Sequence, residues 1–159
     1  MTDLTSRLDN TIAPVIAFDS KIEIVEGDGT WVTDANGKRY IDFACGIAVT
    51  NLGHRPPTVA AAAEDQLGRL WHAGGSFLYD SIATAAEKII DASPDTVEQV
   101  FFMNSGAEAV EGSVKLARKT SGRQGIVVFR GGFHGRSMGS VSYTTSRSKY
   151  RSGYFPLLP

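Results

Sequence analysis

Residues Val97–Arg118 read VEQVFFMNSGAEAVEGSVKLAR, and the fold turns on the change of period inside that stretch. Val97–Met103 is a short apolar run with β-branched and aromatic side chains, the composition of a buried strand. Asn104-Ser105-Gly106 breaks it. Beyond the break, Ala107, Val110, Val114 and Ala117 fall on one helical stripe, while Glu111 and Lys115 stand at the i,i+4 spacing that pairs opposite charges. Ser105 and Glu108 form an S-x-x-E capping box, so the spacing predicts a helix beginning at Gly106.

A strand, a turn of small residues and a helix N-terminus together make an anion site. The first helical N–H groups have no internal acceptors, and the helix dipole adds partial positive charge there. Gly106 and Ala107 are small enough to let a phosphate reach their backbone, and the Ser105 hydroxyl adds a further hydrogen bond. Two other readings stay open on these residues alone. One is an ordinary capped helix in an α/β protein. The other makes Ser105 a nucleophile, but the strained G-x-S-x-G turn is missing and no acid or base partner can be nominated.

Toward the C-terminus, Ser121-Gly122 ends the helix and Gly125–Phe129 (GIVVF) reads as a second short strand. Strand–helix–strand at this spacing predicts a parallel sheet with a right-handed crossover and a ligand at the C-terminal strand ends. Gly131-Gly132-Phe133-His134-Gly135-Arg136 follows, with glycines that let the chain approach a ligand closely. Ser142–Ser152, rich in Ser, Thr, Arg and Lys, reads as exposed loop.

Toward the N-terminus, Asp80–Ala92 and Pro56–Leu70 read as helices, with a Gly-containing loop at 71–79 between them. Ala44–His54 reads as a Gly-punctuated loop with some buried positions. Lys21–Phe43 reads as an antiparallel meander, turning at Gly27-Asp28-Gly29 and at Asn36-Gly37. Trp31 and Tyr40 are expected as packing aromatics. Residues 1–19 are polar, with Pro14 against a helix there, and read as an arm that is mobile or docked on a partner.

The chain has 159 residues and a net charge of −1, so no basic balance points to nucleic acid. The hydrophobic fraction is 42%, and no apolar run has the length of a membrane span. MTDLTSRLDN lacks the apolar segment of a secretory signal. Cys45 is the sole cysteine, which excludes an internal disulfide, fits a reducing cytoplasm and reads as a small buried residue. His54, His72 and His134 are not at metal-ligand spacing, so no metal is expected.

Three stretches, NSGAEAVEGSVKLAR, GIAVTNLGH (Gly46–His54) and GGFHGRSMGS (Gly131–Ser140), together resemble the class III (ω-type) aminotransferases. Within that family they are most similar to the 4-aminobutyrate, acetylornithine and ornithine aminotransferases. The resemblance runs from about Val25 to Pro159. It implies an α/β chain forming the N-terminal part of the fold-type I transferase fold: a small antiparallel meander plus the start of a mainly parallel large-domain sheet. It also implies an N-terminal fragment, with residues 1–55 as arm and meander of the small domain and residues 56–159 as the beginning of the large domain.

The implied cofactor is pyridoxal 5'-phosphate, held at Ser105, Gly106, Ala107, Phe133 and His134, with Phe133 stacking on its ring. The implied substrate contacts are Ile47 and Arg136, the latter a planar fork for a carboxylate. The implied reaction moves an amino group from an ω-amino acid to a 2-oxo acid such as 2-oxoglutarate, in a cytoplasmic homodimer. No catalytic residue is assigned here, because the family's aldimine lysine and pyridine-side carboxylate match no position of this sequence. Alternatives are an aminomutase of the same family and a non-catalytic phosphate-binding or interaction module. The sequence departs from the family's G-H-x-H-P at Gly53-His54-Arg55-Pro56-Pro57, where no histidine precedes the final proline.

Overall fold

An Asn-Gly pair between alternating side chains is enough to nucleate a hairpin, and the first unit of the chain is built around one. The computed structural model describes residues 3–16 and 18–158; Met1, Thr2 and Ala17 of the expected arm, and Pro159, lie outside the described residues. The chain divides into two units, Met1–Leu78 and Tyr79–Pro159.

In the first unit, α1 (Leu4–Thr11) has no buried residue and stops short of Pro14. The helix ends before Pro14, the residue expected to interrupt one here. Strands β1 (Ile24–Asp28), β2 (Trp31–Asp34) and β3 (Arg39–Ile41) form the expected meander in the order β1-β2-β3, both pairs antiparallel. Gly37 takes a φ of 81° at the second hairpin, a conformation that favours glycine. Asp34, 8% exposed, organises that turn. Its Oδ1 accepts from the N–H groups of Asn36 and Lys38, and its Oδ2 from the Tyr40 hydroxyl, all at 2.9 Å. The Lys38 N–H bond leads the groups that hold the Asp34 carboxyl below its ordinary value, with burial opposing and Tyr40 and Asn36 assisting.

The loop after β3 contains a left-handed turn. Cys45, Gly46, Ile47 and Ala48 have φ of 47°, 57°, 62° and 63°. The three residues with a Cβ each pay about 1–2 kcal/mol for that region. Helix α2 (Pro57–Leu67) follows with proline in its first turn, as expected, and ends three residues before the expected Leu70.

The second unit holds α3 (Asp80–Asp91), α4 (Gly106–Ser121) and α5 (Met138–Tyr143), with a 3₁₀ turn at Ser148–Tyr150. Gly122 closes α4 with a φ of 70°. The helices and the antiparallel meander are those of the expected α/β class. The two expected strands of the parallel sheet, 97–103 and 125–129, are not in a ladder among the described residues. A strand exists only where a neighbour takes up its N–H and C=O groups; the apolar pattern identifies the segment and not the neighbour. Phe101, Val127 and Phe129 are exposed accordingly.

Two further expectations are corrected here. Glu111 makes no ion pair with Lys115; its carboxylate is engaged by α5 instead. Ser142–Ser152 is not an exposed loop throughout, because it begins inside α5 and contains Thr144, which is fully buried. The only large apolar side chain buried among the described residues is Val141. No helix among the described residues is long and apolar enough to cross a membrane.

The Asp34 network carries a pH dependence of defined sign. A carboxyl whose folded value lies below its unfolded value of about 3.9 stabilises the turn above that pH, and the contribution is lost as pH falls through the folded value. Amide exchange at Asn36 and Lys38 is expected to stay constant from pH 7 to pH 5 after correction for intrinsic rates, and protection is expected to fall below about pH 4. Asp34→Asn is expected to abolish that acid step.

Candidate functional site

Helix α4 begins as its S-x-x-E signal requires. Ser105 Oγ accepts from the Glu108 N–H at 3.2 Å. Glu108 reaches back, but its carboxylate takes the Asn104 N–H at 2.8 Å, one residue earlier than in the usual box. The N–H groups of Gly106 and Ala107 have no intrahelical acceptor. Ser105 therefore has its hydroxyl proton free, beside two free backbone donors at the positive end of a 16-residue helix.

The loop at 131–136 is brought onto this helix start by close packing. A Cβ on Gly135 would lie 2.7 Å from Ala107 Cβ and 2.6 Å from Ser140 Oγ, and Gly135 has a φ of 113°. Only glycine meets both demands. Thr144 pins the loop from beneath: its Oγ1 accepts from the His134 N–H at 2.9 Å and donates to the Gly135 carbonyl at 2.8 Å. The Thr145 and Ser146 N–H groups both donate to the Gly132 carbonyl, at 2.8 and 3.0 Å.

Glu111 ties α4 to α5. Its Oε1 accepts from the Ser137 hydroxyl at 2.6 Å and from the Ser140 N–H at 3.1 Å. A carboxylate at a helix start satisfies an orphan N–H and meets the dipole. Gly139 leaves the room for it, since a Cβ there would overlap the carboxylate.

The outcome is a cavity of about 600 Å³ whose wall includes Gly106, Ala107, Phe133, His134 and Arg136. Five of the seven sequence-nominated residues thus meet at one place. Ser105 adjoins them as the cap of the same helix. Phe133, 55% exposed, packs edge-on against Tyr150, with ring centroids 5.5 Å apart and planes at 72°. Ile47 belongs to the first unit, on the left-handed turn, and is 95% exposed. Among the described residues no group of three His, Cys, Asp or Glu is placed to hold a metal ion.

Sequence reasoning missed the supports. Glu111 was read as a surface pairing residue and Thr144 as loop. Nothing in their spacing marks them, because both act across the tertiary structure. It also missed a second cavity, of about 520 Å³, lined by Arg130, Arg147 and Arg151 together with Val128, Thr145 and Ser148.

The family model described as "Aminotransferase class-III" matches residues 15–159. An acetylornithine aminotransferase from Listeria monocytogenes is 47% identical over 141 residues, covering 87% of this chain and 35% of that relative. The ornithine aminotransferase structure from Toxoplasma gondii superposes with a TM-score of 0.87 at 26% identity, covering 98% of this chain and 38% of that one. An amine transaminase from an uncultivated Pseudomonas species, solved in a PLP-bound form, gives a TM-score of 0.79 at 28% identity, covering 93% and 36%. The chain spans about a third of the length of these proteins.

Seating of the loop on α4 is testable at Gly135. Gly135→Ala adds both a clash and a strained φ, and is expected to destabilise the second unit by about 1–3 kcal/mol in urea denaturation. Gly125→Ala, with nothing within 4 Å of the added Cβ, serves as the control and is expected to stay within about 0.5 kcal/mol of the parent.

Proposed function

Because this chain belongs to the class III aminotransferases, we propose that it supplies the phosphate cradle, ring platform and carboxylate fork of a pyridoxal 5'-phosphate-dependent transaminase. The donor is an ω-amino acid and the acceptor a 2-oxo acid such as 2-oxoglutarate. The acetylornithine aminotransferases among the relatives favour a donor of the acetylornithine type over the 4-aminobutyrate type. The same membership supports a cytoplasmic homodimer, with residues 1–55 in its small domain and 56–159 in its large one.

The observation that carries this reading is the single cavity joining the head of α4 to Phe133 and Arg136. The residues fit the cofactor. A Cβ on Gly106 would meet nothing within 4 Å, so the approach to the helix start is open. Ser105 Oγ and the N–H groups of Gly106 and Ala107 donate to the phosphate. Phe133, steadied by Tyr150, offers a flat apolar surface to the pyridine ring. His134, its N–H fixed by Thr144, borders the same space. Arg136 forms no ion pair with an acidic residue among the described residues, which leaves its fork for a substrate carboxylate. When bound, the cofactor supplies an electron sink. The assigned residues bind and orient; none of them moves a proton, so this chain by itself binds without turnover.

Titration of the chain with pyridoxal phosphate, pyridoxal and inorganic phosphate tests the cradle. Pyridoxal phosphate is expected to bind more tightly than pyridoxal and to be displaced by phosphate. Ser105→Ala is expected to weaken pyridoxal phosphate about 10–100-fold, the worth of one hydrogen bond to a charged group, and to leave pyridoxal unchanged. Equal affinity for the two aldehydes refutes the reading. Adding an amino donor is expected to give no product.

A further inference from the structure

Four consecutive residues in the left-handed region, three of them carrying a Cβ, do not hold themselves. Something adjacent must over-determine the turn Cys45–Ala48. The structure assigns that work to Asp42 and His54: we infer that they form a clasp that sets the left-handed turn and thereby presents Ile47 at the surface of the first unit as a contact residue.

Asp42 holds the start of the loop. Its Oδ1 accepts from the N–H groups of Ala44 and Cys45, at 2.9 and 3.0 Å, and so fixes the residue at which positive φ begins. Its Oδ2 lies 2.9 Å from His54 Nε2. The carboxyl is held below its ordinary value, by the Cys45 N–H first and His54 second. An ionised carboxylate only accepts, so Nε2 carries the proton of this bond.

His54 holds the end of the loop. Its N–H donates to the Gly29 carbonyl at 2.7 Å, and its carbonyl accepts from the Gly29 N–H at 3.0 Å. Its ring lies against Gly27, where an added Cβ would come within 2.6 Å of the ring. Gly53, with a φ of 85°, approaches Gly29 so closely that a Cβ would sit 2.8 Å from the Gly29 carbonyl oxygen. One histidine therefore joins the loop to the β1–β2 turn by its backbone and to Asp42, just after β3, by its ring.

Between the two anchors the turn closes on itself. The N–H groups of Val49 and Thr50 both donate to the Cys45 carbonyl, at 2.7 and 3.0 Å, and Ile47 N–H donates to the Ala44 carbonyl at 2.8 Å. Ile47 makes no packing demand that would select its φ of 62°, being 95% exposed. A strained, exposed β-branched residue held by a half-buried polar clasp is the arrangement of a presented contact, not of a core position.

The test is NMR on the labelled chain, without cofactor. His54→Phe keeps a ring over Gly27 but removes the donor to Asp42. It is expected to abolish the strong intraresidue HN–Hα cross-peaks that mark positive φ at Cys45, Ile47 and Ala48. Amide exchange at Val49 and Thr50 is expected to accelerate about tenfold, the loss of one hydrogen bond to a charged group, with exchange in β2 unchanged. His54→Gln, whose amide reaches the same carboxylate, is expected to restore the cross-peaks. A role confined to global stability would speed exchange throughout the meander and leave the φ signature of the folded state in place. Retention of positive φ at Ile47 in His54→Phe overturns the clasp, as does failure of His54→Gln to restore it. Neither result bears on pyridoxal phosphate binding at α4, so the two readings fail separately.

Discussion

The head of helix α4 is the constraint on which the second unit depends. A helix start leaves N–H groups unpaired, and here Ser105 and Glu108 satisfy only part of that demand. The remaining donors, on Gly106 and Ala107, stay open because the next layer of chain is held just beside them and not over them. Gly135 permits that approach, since its backbone lies against Ala107 at a distance no side chain allows.

The supports under this layer are polar. Glu111 from α4 caps α5, and the buried Thr144 bonds the backbone of His134 and Gly135. The buried Thr144 hydroxyl and the half-buried Glu111 carboxylate are tolerated because each finds its partner, and a satisfied network of this kind specifies one arrangement. Apolar burial is slight by comparison, with Val141 the sole large apolar side chain buried among the described residues. The geometry of the cavity is therefore set by directional bonds, which fix positions more sharply than apolar contact does.

The first unit uses the same means for a different element. Asp34 closes a hairpin with three hydrogen bonds from residues within six positions of it. Asp42 opens the loop beyond β3 in a similar way and reaches twelve residues onward to His54. In both cases a short carboxylate gathers backbone N–H groups that the turn leaves unpaired. The second case holds a conformation that the residues themselves disfavour, and such stored strain is where binding loops differ from ordinary turns.

Local chemistry was legible in the sequence. The capping box at Ser105 and Glu108, the Asn36-Gly37 hairpin, the proline-initiated α2 and the glycine stop at Gly122 all depend on residues within a few positions of one another, so spacing reports them. That Gly106, Phe133 and Arg136 line one cavity was legible only through resemblance to a family, because nothing in their own pattern brings them together. The tertiary structure alone decided the rest. It placed Glu111 on α5 instead of Lys115, buried Thr144 in a run that reads as polar loop, left 97–103 and 125–129 without a ladder, and made His54 an anchor. Each of these turns on a partner distant in the chain, and a sequence pattern records what a residue can bond, not which group will stand opposite it.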